Sequence, residues 1–284
     1  MPLNSTSMSP THTKDTLSAI KAVLSVPRVG TYEAARTTVR DDDPSAIALY
    51  AWNAAISSAM LAPLHICEVV VRNAVADAIE ALYGPRWPWS VGFERSLSRP
   101  LQPWLYDPRK DLENARRRQH TTGKVIPELK FVFWQQMFDS RHEARIWNRR
   151  LRQVFPNLDG TKTVAVLRQE IHDRLEEIRM LRNRIAHHEP IFRRNLAGDF
   201  QTIVKLVEYR SPSAASWMLA NQHASVVLNS SRAFVGGRMW APSHDEIAFQ
   251  AYRIWEAEGC PCGQADTHWH RAHEFLIGNR WWEL

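Results

Sequence analysis

The chain has 284 residues, 44% hydrophobic and 23% charged, a balance ordinary for globular proteins that excludes collagen-like and wholly disordered classes. Its 12 tryptophans and only 11 glycines suit a packed helical core better than a sandwich with many turns. A net charge of +6 and a pI near 9.4 favour an anionic partner, nucleic acid among them.

Residues 1–13 are polar and rich in Ser, Thr and Pro. They are expected to form a disordered lead, with no apolar segment of a secretion signal. A helix is predicted from Thr16 to Leu24. Asp43-Pro44-Ser45 then opens a long helical stretch, with the proline in its first turn. From Ala46 to Leu82 apolar residues recur at helical spacing: Leu49, Trp52, Ile56, Met60, Leu64, Val70, Val75 and Ile79. Pro63 is expected to divide or kink this stretch, and Tyr83-Gly84-Pro85 to stop it. No run of about 18 apolar residues is evident, so no membrane span is expected. Cys67, Cys260 and Cys262 are the only cysteines. That sparse, odd number gives no disulfide framework and fits a reducing, cytoplasmic compartment.

Residues 85–125 are rich in Trp, Pro and Arg, with a basic cluster at Arg116-Arg117-Arg118. They are predicted to be a loop and a charged helix. Phe131, Trp134 and Phe138 place a helix over Glu128 to Phe138. After a loop marked by Pro156-Asn157 and Asp159-Gly160, a helix is predicted from Thr163 to about Glu189. Leu167, Ile171, Leu175, Ile178 and Ile185 form its narrow apolar stripe, and Pro190 is expected to end it. Two further helices are expected at about 197–210 and 213–228. Gly236-Gly237 and Ala241-Pro242-Ser243 resemble a linker. The fold class expected is all-α, with a main helical domain over 14–235 and a small helical hairpin over 244–279.

The segment LRNRIAHHEP, 181–190, concentrates chemistry: Arg182, Asn183, Arg184, His187, His188 and Glu189 lie within ten residues. A solvated, basic helix end would have such a composition, since cations favour the carbonyl terminus. Arg182, however, falls on the edge of the apolar stripe, where a guanidinium must be paired or face a partner surface. Asn183 and His187 are four apart and share a neighbouring face. His187 lies about 140° round from Arg182 in an ideal helix, but Pro190 loosens the last turn, and a symmetric partner could supply the complementary group. Histidine can take or give a proton near neutral pH, and arginine clamps phosphate oxygens bidentately. Together they suit metal-free cleavage of RNA, in which a base deprotonates a 2′-hydroxyl, an acid protonates the 5′-oxygen and a cation holds the phosphate.

These residues also carry a family resemblance. RNRIAHHEPI, 182–191, resembles the HEPN superfamily signature of an arginine, a polar residue and then a histidine: four residues separate Arg182 from His187, and five separate it from His188. YAWN at 50–53, LHICEVVVRNAV at 64–75, LYGPRW at 82–87, FVFWQQMF at 131–138 and VFP at 154–156 resemble the Abi-like, abortive-infection branch. The resemblance spans roughly residues 20–210. The second Arg-Asn pair, Arg72-Asn73, has no histidine at matching spacing. What the resemblance implies is a HEPN-type helical bundle, a homodimer whose motifs face each other, and a metal-independent endoribonuclease leaving a 2′,3′-cyclic phosphate and a 5′-hydroxyl. It implies a phage-defence or toxin role, with RNA as partner and an antitoxin or regulatory protein as a further one. Arg182 would clamp phosphate, Asn183 orient by hydrogen bonding and His187 act as acid or base, with His188, Glu189 and Arg184 as secondary candidates. No metal or cofactor is expected. Glu68 and Arg72, four apart, are expected to be a structural ion pair.

The tail AYRIWEAEGCPCGQADTHWHRAHEFL, 251–276, resembles a short domain of unknown function made of two small helices. Cys260, Cys262, His268, His270 and His273 invite a zinc reading, but only one residue separates the cysteines, whereas zinc sites usually space such pairs by two to four. A hairpin held by Tyr252, Trp255 and Trp269 is the expected structure, with Gly263 structural. Two other functions compete: a non-catalytic HEPN module that binds RNA or a protein, and a metal-dependent hydrolase built on the tail cluster. No glycine-rich phosphate loop occurs, so an ATP-driven role is not expected.

Overall fold

The computed structural model describes residues 14–35, 45–230, 244–258, 261 and 263–278. Every regular element among them is helical, as the all-α reading requires. The described residues form two compact units, one of residues 57–224 and one that combines those up to 56 with those from 225 on.

In the second of these, α1 (Lys14–Leu24) lies where the sequence placed it, and α2 (Val26–Glu33), with Pro27 in its first turn, adds an element the pattern did not announce. Lys21 pairs with Glu33 at 2.7 Å, and the Tyr32 ring meets Tyr50 at 4.9 Å. Helix α3 (Ser45–Tyr83) runs from this unit into the other as one element, through Pro63. The proline does not divide it, because Ile56, Met60, Leu64, Cys67 and Val71 stay buried in register on both sides and packing outweighs one missing hydrogen bond. Gly84, at φ 81, returns its N–H to the Glu80 carbonyl and stops the helix as expected; a side chain at that φ would be strained. By length and composition alone the span Ala46–Tyr83 is long and apolar enough to cross a membrane, with an 18-residue window of mean hydropathy 1.7, although it is not a continuous apolar run. Its fully buried residues recur every three or four positions, the pattern of a helix with one face on a protein core rather than one apolar all round.

The unit 57–224 holds α4 (Val91–Ser96), α5 (Pro108–Arg116), α6 (Thr122–Val125), α7 (Phe131–Gln136), a π-helical turn at Glu143–Trp147, α8 (Asn148–Val154), α9 (Val164–Ala186), α10 (Leu196–Arg210) and α11 (Pro212–Ala220). Its centre explains the tryptophan content. Trp87, Trp134 and Trp147 are fully buried with Phe93, Phe133, Phe138 and Phe155. Phe138 and Trp147 stack at 4.5 Å, and Trp147 Nε1 donates to the Met137 carbonyl at 2.6 Å.

Helix α9 packs against α7, α8 and α10. The predicted stripe Leu167, Ile171, Leu175, Ile178 and Ile185 is buried, joined by Leu181. The helix ends at Ala186, not near Glu189, so Pro190 is not what stops it. The segment expected as one helix over 213–228 is divided between α11 and α12 (Ala224–Ser230). Helices α13 (His244–Ala257) and α14 (Ala265–Gly278) pack as a hairpin, with Gly263 at φ 78 in the connection.

Candidate functional site

The last turn of α9 builds the site. His187 is the C-cap residue, and its N–H reaches the Asn183 carbonyl at 2.9 Å. His188 follows in the left-handed region at φ 55. Its N–H donates to the Ile185 carbonyl at 3.0 Å and that of Glu189 to the Arg184 carbonyl at 2.8 Å. This pair of bonds is a Schellman motif, which satisfies carbonyls that the helix end leaves free. The left-handed position usually belongs to glycine or asparagine; here a histidine fills it.

Arg184 holds the turn from outside. Its Nε and Nη2 donate to the Pro190 carbonyl at 3.1 and 2.8 Å, and Nη1 lies 3.5 Å from Glu189 Oε2. Arg184 and Glu189, both secondary candidates, are therefore engaged with each other and with the backbone of the turn.

Arg182 points elsewhere. Its Nε donates to Glu68 Oε2 at 3.3 Å, and its side chain is 44% exposed. Glu68 thus pairs with Arg182 across two helices and not with Arg72 one turn away, which corrects the expected Glu68–Arg72 pair. Arg72 Nε is buried and makes no hydrogen bond. Asn183 is half-buried, and His187, His188 and Glu189 are exposed. Among the described residues no hydrogen bond or ion pair engages the His187 ring or the Asn183 side chain. The last turn of α9 therefore carries an exposed guanidinium, a half-buried amide and an uncommitted imidazole, with Arg182 and His187 about 140° apart round the helix axis. Separately, such groups can hold an anion and exchange a proton.

A second polar cluster on α9 escaped the sequence reading. Arg168 is buried, with Nε on Glu143 Oε2 at 2.9 Å and Nη1 donating to the Phe138 carbonyl. His172 lies between two carboxylates, its Nε2 3.6 Å from Asp139 and its Nδ1 3.1 Å from Asp173. With Asp139, Arg141 and Gln169 these side chains line a pocket of about 260 Å³. Burial pushes the Asp139 carboxyl upward, against the lowering by His172. Arg168 lies three residues before Ile171 and seven before Leu175, on the apolar face, and that placement was the available signal of a buried, paired charge. The guanidinium and the Nδ1 of the imidazole are engaged with protein groups, and Arg168 ties the Phe138–Glu143 segment to α9.

Cys67 is buried, and burial pushes its thiol up to about 12, far from the thiolate that chemistry needs. In the tail, His268 is buried and its Nε2 lies 2.9 Å from Glu258, which also accepts from Arg271. Tyr252 and Trp255 meet at 5.5 Å, and Trp255 Nε1 donates to the Pro261 carbonyl. Of the residues in the zinc reading, Cys260 and Cys262 and the side chain of His273 lie outside the described residues.

Residues 242–276 match the model of a family described as a protein of unknown function (DUF2934). No curated protein and no solved structure matches the chain. The family match covers the hairpin α13–α14, where the tail resembles a short domain of unknown function, and the Arg182–His187 segment lies outside it.

Proposed function

We propose that the chain is a metal-independent endoribonuclease of the HEPN/Abi-like kind, a cytoplasmic phage-defence or toxin effector that acts as a homodimer. The observation that carries this reading is the end of α9: Arg182 exposed beside a single long carboxylate contact, and His187 five residues on, about 140° round the helix axis, with its ring uncommitted. Phosphate can take the place of Glu68 on Arg182, because an ion pair this open is weak whereas a bidentate guanidinium–phosphate contact is strong. His187 exchanges protons with the substrate, and Asn183 orients the phosphodiester. The 2′-hydroxyl loses its proton, its oxygen bonds to phosphorus, the bond from phosphorus to the 5′-oxygen breaks and that oxygen is protonated. The products are a 2′,3′-cyclic phosphate and a 5′-hydroxyl. In a homodimer, His187 of one copy serves as base and that of the second as acid.

The test is cleavage of a mixed RNA pool in EDTA by the wild type, Arg182→Ala and His187→Ala. Loss in both variants supports the reading, and equal cleavage by all three overturns it. A second reading, an RNA- or protein-binding module without cleavage, is favoured by the pairing of Arg182 with Glu68, which occupies the guanidinium that cleavage would need. It predicts binding that is indifferent to His187.

A further inference from the structure

The positive charge of this protein is not spread evenly. Residues 85–130 hold ten Arg or Lys against five Asp or Glu, a balance of +5 out of the chain's +6. Three of those five carboxylates are engaged within the fold. Glu94 pairs with Arg116 at 2.7 Å, and Asp107 caps α5 by accepting from the amides of Arg109 and Lys110. Asp111 is buried and accepts from Tyr106 Oη at 2.6 Å. Arg109 and Arg116 are likewise engaged, donating to the carbonyls of Leu97 and Pro88. The other eight cations are exposed, against two exposed carboxylates, Glu113 and Glu128.

Within this field lies a groove of about 680 Å³, lined by Arg99, Lys110 and Arg117, by the amides Gln102 and Asn114, and by three carboxylates, of which Glu94 and Asp107 are engaged within the fold and Glu113 is exposed. The loop between α4 and α5 forms one side of it. That loop also carries Leu101 at 99% and Trp104 at 77% exposure, an unfavourable position for an indole unless something covers it.

We propose that this groove and Trp104 form a binding track for single-stranded RNA, separate from the Arg182–His187 site. Phosphates lie along Arg99, Lys110 and Arg117, and a base stacks on the indole, since every base offers a π-face whatever the sequence. The amides hydrogen-bond base edges that a single strand leaves open. An anionic lipid surface would also accept Leu101 and Trp104. The cations and amides, however, line a concave groove, which fits a strand and not a plane. This inference rests on the proposed function in taking RNA as the substrate.

The experiment measures fluorescence anisotropy of a labelled single-stranded RNA 20-mer on the full-length His187→Ala chain, which leaves the RNA intact. Adding Trp104→Ala is expected to weaken binding about 5- to 100-fold, with Trp104→Phe recovering most of it. Adding Lys110→Ala and Arg117→Ala together should lower the slope of log affinity against log salt by about 1.4, roughly 0.7 for each single-strand phosphate no longer neutralised. Binding unchanged in these variants overturns the proposal, as does equal, Trp104-independent binding of duplex DNA, or binding of phosphatidylserine vesicles without binding of RNA. Cleavage by the His187-containing protein is read separately. Trp104-dependent binding without cleavage keeps this track and refutes the nuclease, and His187-dependent cleavage indifferent to Trp104, Lys110 and Arg117 does the reverse.

Discussion

His188 holds a left-handed backbone that favours glycine, and it does so within the segment proposed for chemistry. The strain of an L side chain at such a φ costs about 1–2 kcal/mol. His188→Gly is therefore expected to stabilise the protein by about 0.5–1 kcal/mol in urea unfolding, after the greater chain entropy of glycine is offset, while cleavage is retained. Abolished cleavage in a stabilised variant would move the proton-transfer role from His187 to His188. Arg182→Ala should change stability by less than about 1 kcal/mol, because its partner contact is open to solvent and long. Its cleavage should fall on the order of 100- to 1,000-fold, the usual cost of removing one preorganised donor to a developing charge. The residues of this site were legible in the sequence as types at a spacing. The partner of Arg182 was not, because Glu68 lies 114 positions away and helical spacing offered the nearer Arg72. The turn itself was also hidden. Sequence signals for it are glycine or asparagine, and here histidine fills the place, which left Pro190 as the only visible stop.

The central element is α9, which carries the site on one end and the Arg168–Glu143 link on its flank. Arg168→Met is expected to destabilise the fold by about 2–3 kcal/mol, because Glu143 and the Phe138 carbonyl lose a charged donor, and thermal unfolding measures this. A neutral effect would make the link ornamental. This helix was readable because its apolar stripe keeps a 3.6-residue period over about five turns, long enough for the pattern to exceed chance. The α8 helix and the π-helical turn before it were not, since seven and five residues are too short to show a period. The expected helix over Glu128–Phe138 shrank to α7 for a related reason: Phe131, Phe133, Trp134 and Phe138 are all buried, and a segment apolar on every side has no face to betray its limits. In α3 the opposite error arose. Pro63 is a strong local signal of a break, and the continuous buried face on both sides of it overrides that signal.

For the molecule as a whole, pH and charge give the broadest tests. His142 is 3% exposed, and burial, helped by Arg141 and Arg145, lowers its pKa from the ordinary 6.5 to about 4. Between those values the unfolded chain binds a proton that the folded chain refuses, so stability falls as pH drops from 6.5 towards 4 and then levels off. This one group accounts for roughly 3 kcal/mol. His142→Gln should flatten that limb in denaturant titrations at stepped pH; a variant as acid-sensitive as the wild type would exclude His142 as its source. The concentration of basic charge in residues 85–130 was visible in outline from Arg116-Arg117-Arg118. Arg116 nonetheless serves the fold, and only the structure separates cations engaged with carbonyls from those left to solvent. The most direct test of the proposed nuclease is the chemistry of the RNA ends left by wild type and by His187→Ala in EDTA. Wild type is expected to leave 2′,3′-cyclic phosphates with 5′-hydroxyls, and the folded variant none. Products with 3′-hydroxyls and 5′-phosphates, or the same cleavage from both proteins, would contradict it.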